Sequence, residues 1–133
     1  MNDHRPLSIL MRVIAVALGV GFGATHLLFP ARYFALLGQT GYDAADPFHL
    51  FLAQCVGVVI VALCVGIWMA ASDPAKYRLA LVQFLVAGVL TVLVFLFHLL
   101  VTGAIGGLEW LSVLSVAVLV AVVWRLYPRV DEP

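Results

Sequence analysis

The sequence predicts an all-α integral membrane protein: an antiparallel bundle of four transmembrane helices, with a short interfacial helix between spans one and two. Two properties of the composition support this class, because 65% of the 133 residues are hydrophobic and only 11% are charged. A soluble domain carries about 25% charged residues, so this chain has too few charges to cover a surface that faces water. The third observation is a set of four apolar runs, each close to or above the ~20 residues that cross a bilayer. We expect one transmembrane domain over residues 1–133.

The predicted spans have recognisable ends. They cover residues 8–29, 48–71, 76–102 and 108–127. Asp46-Pro47 places an N-cap acid before a proline at the first helical position, and therefore predicts the start of span two. Asp73-Pro74 gives the same signal for span three. Gly103 and the glycines after it separate span three from span four, and a proline follows the last span.

The stretch "PARYFALLG" after the first span predicts a short interfacial helix over residues 30–38. It begins with proline and ends with glycine, which favours a helix boundary at each end. We expect Arg32 to reach the lipid headgroups. The side chains that we expect to face the acyl chains are Tyr33, Phe34, Leu36 and Leu37.

The distribution of basic residues predicts the orientation of the chain. Of the seven Lys and Arg residues, only Arg32 lies away from the side of the two termini. Because basic residues accumulate on the cytoplasmic side, we expect both termini in the cytoplasm and a multi-pass protein of the bacterial inner membrane. The lipid bilayer is its first partner. A formal net charge of zero, with few and scattered basic residues, excludes a nucleic-acid partner.

Small and polar residues within the spans predict the faces on which the helices pack. In span one, Ala15, Gly19 and Gly23 recur at intervals of four. In span three, a stripe expected to face protein consists of Ala80, Gln83, Ala87, Thr91, His98 and Thr102. The intramembrane polar residues, expected to bond between helices or to contact a ligand, are Gln54, Gln83 and Thr91.

Each of the four predicted spans supplies one ionisable side chain to a layer near the outer boundary. These are His26 at the end of span one, His49 at the start of span two, His98 near the end of span three and Glu109 in the first turn of span four. Imidazoles with a carboxylate are ligands that suit Zn, Fe or Cu. They suit a proton-transfer or polar-ligand site equally, because histidine titrates near neutral pH. The alternative is that these residues mark the interface, where their polar ends reach water.

Three stretches carry a family resemblance: "LLFPARYFALLG" after span one, "QCVG" in span two and "ASDPAKYR" between spans two and three. With these stretches, its length and its topology, most of the chain resembles small bacterial four-helix membrane proteins of the DoxX-like and BphX-like kind. The resemblance implies that some relatives are accessory subunits of membrane oxidoreductases, including quinone-linked ones. It implies no catalytic residues for this chain.

Three functions are compatible with these observations. The first is a non-catalytic accessory or structural subunit that forms a homo-oligomer or joins a larger membrane complex, such as an oxidoreductase. The second is a redox protein that holds a metal or haem through the histidine layer. The third is a carrier or binder of a small apolar molecule such as a quinone. We favour the first, because no group of residues typical of catalysis is evident, and an enzyme is therefore not expected.

Overall fold

The computed structural model describes residues 4–39, 41–103 and 108–128, and every regular element in these ranges is a helix. The bounds are α1 Arg5–Leu28, α2 Pro30–Leu36, α3 Pro47–Ala70, α4 Arg78–Thr102 and α5 Glu109–Leu126. Within these ranges, α1, α3, α4 and α5 are long and apolar enough to cross a membrane, with mean hydropathies of 2.0, 2.7, 2.8 and 1.8. The all-helical class and the number of helices of spanning length are confirmed, and each end lies within three residues of its predicted position.

Helices α1 and α2 meet at a sharp break. Phe29 leaves the helical region, with φ −138° and ψ 45°, and Pro30 then takes the first position of α2. Proline suits this position because the first helical N–H has no partner within the helix. Beyond α2, Gly38 adopts φ +68°, a left-handed conformation that side chains with a Cβ disfavour. The predicted short helix is confirmed.

Two of the four side chains that we expected to face the acyl chains contact the protein instead. Tyr33 and Phe34 do not lie free at its surface but pack against the ring of His26, with centroid distances of 4.3 and 5.2 Å. Leu36 does point away from the protein and is 81% exposed. A seven-residue helix has no stable orientation of its own, so its docking on the end of α1 determines which side chains turn inward.

Helices α1 and α3 approach each other closely through glycine. A Cβ placed on Gly57 would lie 2.7 Å from the backbone N of Leu27 and 2.8 Å from the carbonyl oxygen of Gly23. A Cβ on Gly23 would lie 2.9 Å from the side chain of Val61. The small residues predicted in span one therefore do form the packing face, because only glycine permits this backbone-to-backbone contact.

The two Asp-Pro signals behave differently. The Asp46 carboxylate accepts a 2.8 Å hydrogen bond from the backbone N–H of Phe48, as predicted for the N-cap of α3. The Asp73 carboxylate accepts from the backbone N–H of Lys76 at 3.0 Å, but this bond closes a turn rather than a helix. Helix α4 begins only at Arg78, so the prediction that Asp73 caps it is wrong.

The face on which α4 packs also differs from the predicted polar stripe. Its buried residues are Leu81, Phe84, Leu85 and Gly88. At 100° per residue this face lies roughly 100° around the helix from the stripe, and Gln83 is exposed. The lack of a Cβ on Gly88 lets the side chain of Val120 in α5 approach closely. Large apolar side chains thus decide the packing of α4, and Gln83 contributes nothing to it.

The tightly packed core lies at the end of the bundle that holds the start of α1 and the end of α3. Its fully buried large side chains come from all four long helices: Leu7, Met11, Ile67, Leu81 and Val123. The Ser8 hydroxyl donates a hydrogen bond to the carbonyl oxygen of Ala71 at the same end. The opposite end carries His26, His49 and His98; we call it the histidine end.

Candidate functional site

A cavity of about 600 Å³ lies at the histidine end, between α1, α2, α3 and α4. The side chains of His26, His49 and His98 all line it. Aromatic rings form much of its wall: Phe22, Tyr33, Phe34, Tyr42 and Phe95. This volume falls within the ~300–1,000 Å³ typical of sites for small molecules. Three histidines from three helices thus line one cavity.

His26 is the most enclosed of the three histidines, with an exposed fraction of 4%. Its ring stacks on Phe22, one turn earlier, with centroids 4.2 Å apart. Its Nδ1 donates to the carbonyl oxygen of Phe22 at 2.8 Å, and the Thr25 hydroxyl donates to the same oxygen. These bonds lie at the end of a π-helical stretch, Gly19–Ala24. Such wide turns interrupt the regular bonding of an α-helix and occur often at functional sites.

Aromatic rings connect His26 to His49 without a break. Phe34 contacts His26 on one side and stacks on Tyr42 on the other, with a centroid distance of 4.4 Å. Tyr42 in turn stacks on His49 at 5.9 Å. These ring contacts link the end of α1, helix α2, the loop that follows it and the start of α3. Ring contacts of this kind fix side-chain positions more firmly than aliphatic contacts of equal area, because their geometry is specific.

His49 is held by the loop that precedes its own helix. Its Nδ1 accepts a 3.0 Å hydrogen bond from the backbone N–H of Asp43. The Asp43 carboxylate meanwhile accepts from the backbone N–H of Ala45 at 2.8 Å, which stabilises the turn. Asp43 had no predicted role, and the structure gives it one: its backbone orients the imidazole of His49.

His98 lies at the other side of the cavity, where α4 becomes π-helical over His98–Thr102. Its Nδ1 is 3.0 Å from the hydroxyl of Thr102, one turn later. That hydroxyl also donates to the carbonyl oxygen of His98 at 3.2 Å. Gly103, with φ +63°, then ends the helix. Both π-helical stretches of the described chain therefore adjoin cavity histidines.

Glu109 reaches the site indirectly. It is 5% exposed at the start of α5, and its carboxylate accepts a 3.1 Å hydrogen bond from the side-chain amide of Gln39. Gln39 lines the cavity, whereas Glu109 lies behind it. Burial, with a smaller contribution from the negative charge of Glu109, raises the pKa of Tyr33 to about 12. The Glu109 carboxylate thus does not line the cavity; it bonds to Gln39 and affects the charge state of Tyr33, two residues that do line it.

The arrangement does not resemble a metal centre. Across residues 4–39, 41–103 and 108–128, no three or more His, Cys, Asp or Glu side chains lie close enough together to hold a metal ion. The set predicted to bind Zn, Fe or Cu, which was His26, His49, His98 and Glu109, therefore gains no support from the geometry. Those residues instead surround, or stand behind, a cavity large enough for an organic molecule.

The predicted intramembrane polar residues lie outside the cavity. Gln54 is exposed, and its side-chain amide donates a long, 3.5 Å bond to the carbonyl oxygen of Leu27. Gln83 is exposed and Thr91 is half-buried. Of these residues, Gln54 alone bonds to another helix, which is the role the sequence favoured for it.

Sequence reasoning missed several lining residues, among them Phe22, Gln39 and Tyr42. One signal was available, because Phe22 and His26 are four residues apart and so share a helix face. No comparable pattern marks Gln39 or Tyr42, since both lie in the loop after α2 and reach the cavity only through its fold.

Comparisons with known proteins add no relative: no family model matches the chain, and no curated protein or solved structure is significantly similar to it. The resemblance to DoxX-like and BphX-like proteins therefore stays a prediction. The function has to be argued from the cavity itself.

Proposed function

We propose that this chain is a multi-pass membrane protein that binds a small, planar, mainly apolar molecule of the quinone type in the histidine-end cavity. The observation that carries the proposal is the cavity of about 600 Å³, walled by aromatic rings and three imidazoles. This was the third function considered from the sequence. It ranks first now because a bundle that served only to pack against partners would need no cavity lined by aromatic rings and imidazoles.

The shape and chemistry of the wall favour a flat ligand with few polar atoms. Apolar side chains complete the lining: Leu52, Ala53, Val56 and Val94. Aromatic faces stack well on a planar ring and contribute large apolar contact areas. The polar lining groups are imidazoles, phenol hydroxyls and one amide, which suits a ligand with one or two oxygen atoms that form hydrogen bonds. A quinone combines these properties.

We further propose that α1, α3, α4 and α5 cross the bacterial inner membrane as an antiparallel bundle with both termini in the cytoplasm. Contacts between α1 and α3 support the antiparallel order, since Ser8 bonds to Ala71 at one end and Gln54 to Leu27 at the other. The distribution of Lys and Arg supports the orientation. In this arrangement the cavity lies near the outer boundary, within reach of molecules dissolved in the bilayer. Cysteine accessibility labelling of both bundle ends tests it.

Calorimetric titration of the detergent-solubilised protein with menadione tests the ligand proposal. Leu52 and Leu50 provide a matched pair, because both are partly exposed on α3 and only Leu52 lines the cavity. We expect saturable binding by the wild type, loss of binding in Leu52→Trp, and no change in Leu50→Trp. Equal effects of the two substitutions would contradict the proposal, as would a wild type that binds neither menadione nor its reduced form, menadiol.

The accessory-subunit function remains a second proposal, and one surface favours it. An apolar groove of about 340 Å³ runs between α4 and α5, beside Leu93, Val120 and Trp124. A lipid acyl chain or a helix of a partner fits such a groove. Purification from native membranes in mild detergent tests this function. A stoichiometric partner or a homo-oligomer supports it, and a strictly monomeric protein without a partner contradicts it.

A further inference from the structure

Two histidines of the cavity have defined and opposite tautomers. His26 Nδ1 faces the carbonyl oxygen of Phe22 at 2.8 Å, and His49 Nδ1 faces the backbone N–H of Asp43 at 3.0 Å. A carbonyl oxygen only accepts a hydrogen bond, and a backbone N–H only donates one. The assignment follows from these partners: Nδ1 carries the proton in His26 and lacks it in His49.

The other ring nitrogens therefore offer a ligand opposite functions. In the neutral rings, Nε2 of His26 is an acceptor, and Nε2 of His49 carries a proton and donates. The side chain of His26 is only 4% exposed. Because its Nδ1 already bonds to the carbonyl oxygen of Phe22, Nε2 is the nitrogen that remains for an occupant of the cavity. A well-matched occupant has to donate one hydrogen bond and accept another.

The remaining polar groups of the lining discriminate less between donors and acceptors. The hydroxyls of Tyr33 and Tyr42 rotate, so each can donate or accept. Gln39 keeps both its amide oxygen and one N–H after its bond to the carboxylate behind it. The Thr102 hydroxyl donates to the carbonyl oxygen of His98, so His98 Nδ1 donates to that hydroxyl and its Nε2 is a second acceptor. His98 is only half-buried, so this nitrogen costs less than that of His26 when it has no partner. The preference between a ligand that can donate a hydrogen bond and one that cannot thus depends mainly on His26, whereas His49 donates to either.

We propose that the cavity binds the reduced, hydroxyl-bearing form of a quinone-type ligand more tightly than the oxidised form. The inference rests on the proposed function and specifies its ligand. A quinol can donate one hydroxyl to His26 Nε2 and accept from His49 Nε2–H through the other. A quinone has only carbonyl oxygens, which accept from His49 but leave the buried acceptor of His26 without a partner. Such an unpaired group costs enough to give a preference of about tenfold.

Anaerobic calorimetry at about pH 8 tests the preference, because neutral imidazole predominates well above its ordinary pKa of ~6.5. Four ligands with one ring skeleton serve as probes: menadione, menadiol, and the monomethyl and dimethyl ethers of menadiol. We expect menadiol and a monomethyl ether to bind about tenfold more tightly than menadione and the dimethyl ether. Of the four, only menadiol and the monomethyl ether carry a hydroxyl proton. This series needs no change to the protein.

Two variants assign the preference to individual residues. His26→Phe removes the acceptor, so menadiol and menadione should bind with equal affinity. His49→Phe removes a donor that both forms use, so it should weaken both by the same factor and leave the preference unchanged. Equal affinities in the wild type, or a preference that survives His26→Phe, would overturn the inference alone. Absence of binding by every probe would refute the proposed function as well.

Discussion

Replacing Gly57 by alanine is the sharpest test of how α1 and α3 pack. The new Cβ would lie 2.7 Å from the Leu27 backbone N and 2.8 Å from the Gly23 carbonyl oxygen. Ordinary carbon contacts are about 3.5–4.0 Å, so the helices have to separate by roughly 1 Å. Backbone atoms cannot turn aside as a side chain can. Overpacking of this kind costs about 1–3 kcal/mol, and the higher helix propensity of alanine returns roughly 0.5–1 kcal/mol.

Gly66 provides the matched control in the same helix. A Cβ on Gly66 meets no atom within 4 Å, so Gly66→Ala retains the gain in helix propensity without a clash. We expect Gly57→Ala to lower the free energy of unfolding by about 1–2 kcal/mol and Gly66→Ala to raise it by about 0.5–1 kcal/mol. Equilibrium unfolding in mixed micelles, followed by circular dichroism, measures both.

The same substitution should also disturb the cavity. Leu27 follows His26 directly in α1, so a displacement of its backbone moves the imidazole. We therefore expect Gly57→Ala to weaken menadiol binding, and Gly66→Ala to leave it unchanged. Equal stabilities of the two variants would refute the close approach of α1 and α3. A destabilised Gly57→Ala variant with wild-type affinity would refute its connection to the site.

Three further results are expected. The difference between the absorbance titrations of the wild type and Tyr33→Phe should show one phenol with a pKa of about 12. Because the fold favours the neutral phenol of Tyr33, its contribution to the free energy of unfolding is complete below pH ~10 and is lost as the pH rises to 12. A midpoint near pH 10 would contradict burial of Tyr33. Asp46→Ala should cost about 1 kcal/mol of unfolding free energy and Asp46→Asn much less, measured by thermal denaturation; equal losses would exclude capping. Elemental analysis of untagged protein should find no stoichiometric Zn, Fe or Cu, because the described residues provide no cluster of ligands; one bound equivalent would restore the metal hypothesis.

The helix ends could be predicted because they depend on local chemistry. An apolar run of spanning length, a proline at the first helical position or a glycine after the last turn acts where it stands in the chain. The expectation that His26, His49 and His98 lie at one level followed from the same bounds, since alternating spans bring the end of one helix beside the start of the next. None of this needs knowledge of tertiary contacts.

The helix faces were harder to predict because these spans are apolar all round. Helix α4 packs through Leu81, Phe84, Leu85 and Gly88, yet its exposed side is equally apolar. The polar stripe that includes Gln83 suggested a different face, and Gln83 is exposed. Without a difference in polarity between the two sides, side-chain volume and close packing determine the rotation of a helix.

The inward turn of Tyr33 and the roles of Gln39 and Asp43 were not predictable from local pattern. Each depends on how a short helix and its loop dock on His26 and His49. The tautomers of the two imidazoles depend on single hydrogen bonds to Phe22 and Asp43. Sequence could propose which residues form the site, but the hydrogen-bonding directions that suggest its ligand exist only in the folded chain.

Nuclear magnetic resonance of the protein with isotope-labelled histidine tests the central claim most directly. The chain has four histidines, and His4 lies far from the cavity, near the start of α1. Before ligand is added, the ring nitrogens should report a proton on Nδ1 of His26 and on Nε2 of His49. On titration with menadiol, we predict saturable shifts of His26, His49 and His98 with one affinity, and no shift of His4. Unchanged rings, or equal shifts of all four, would contradict a ligand cavity shared by the three histidines.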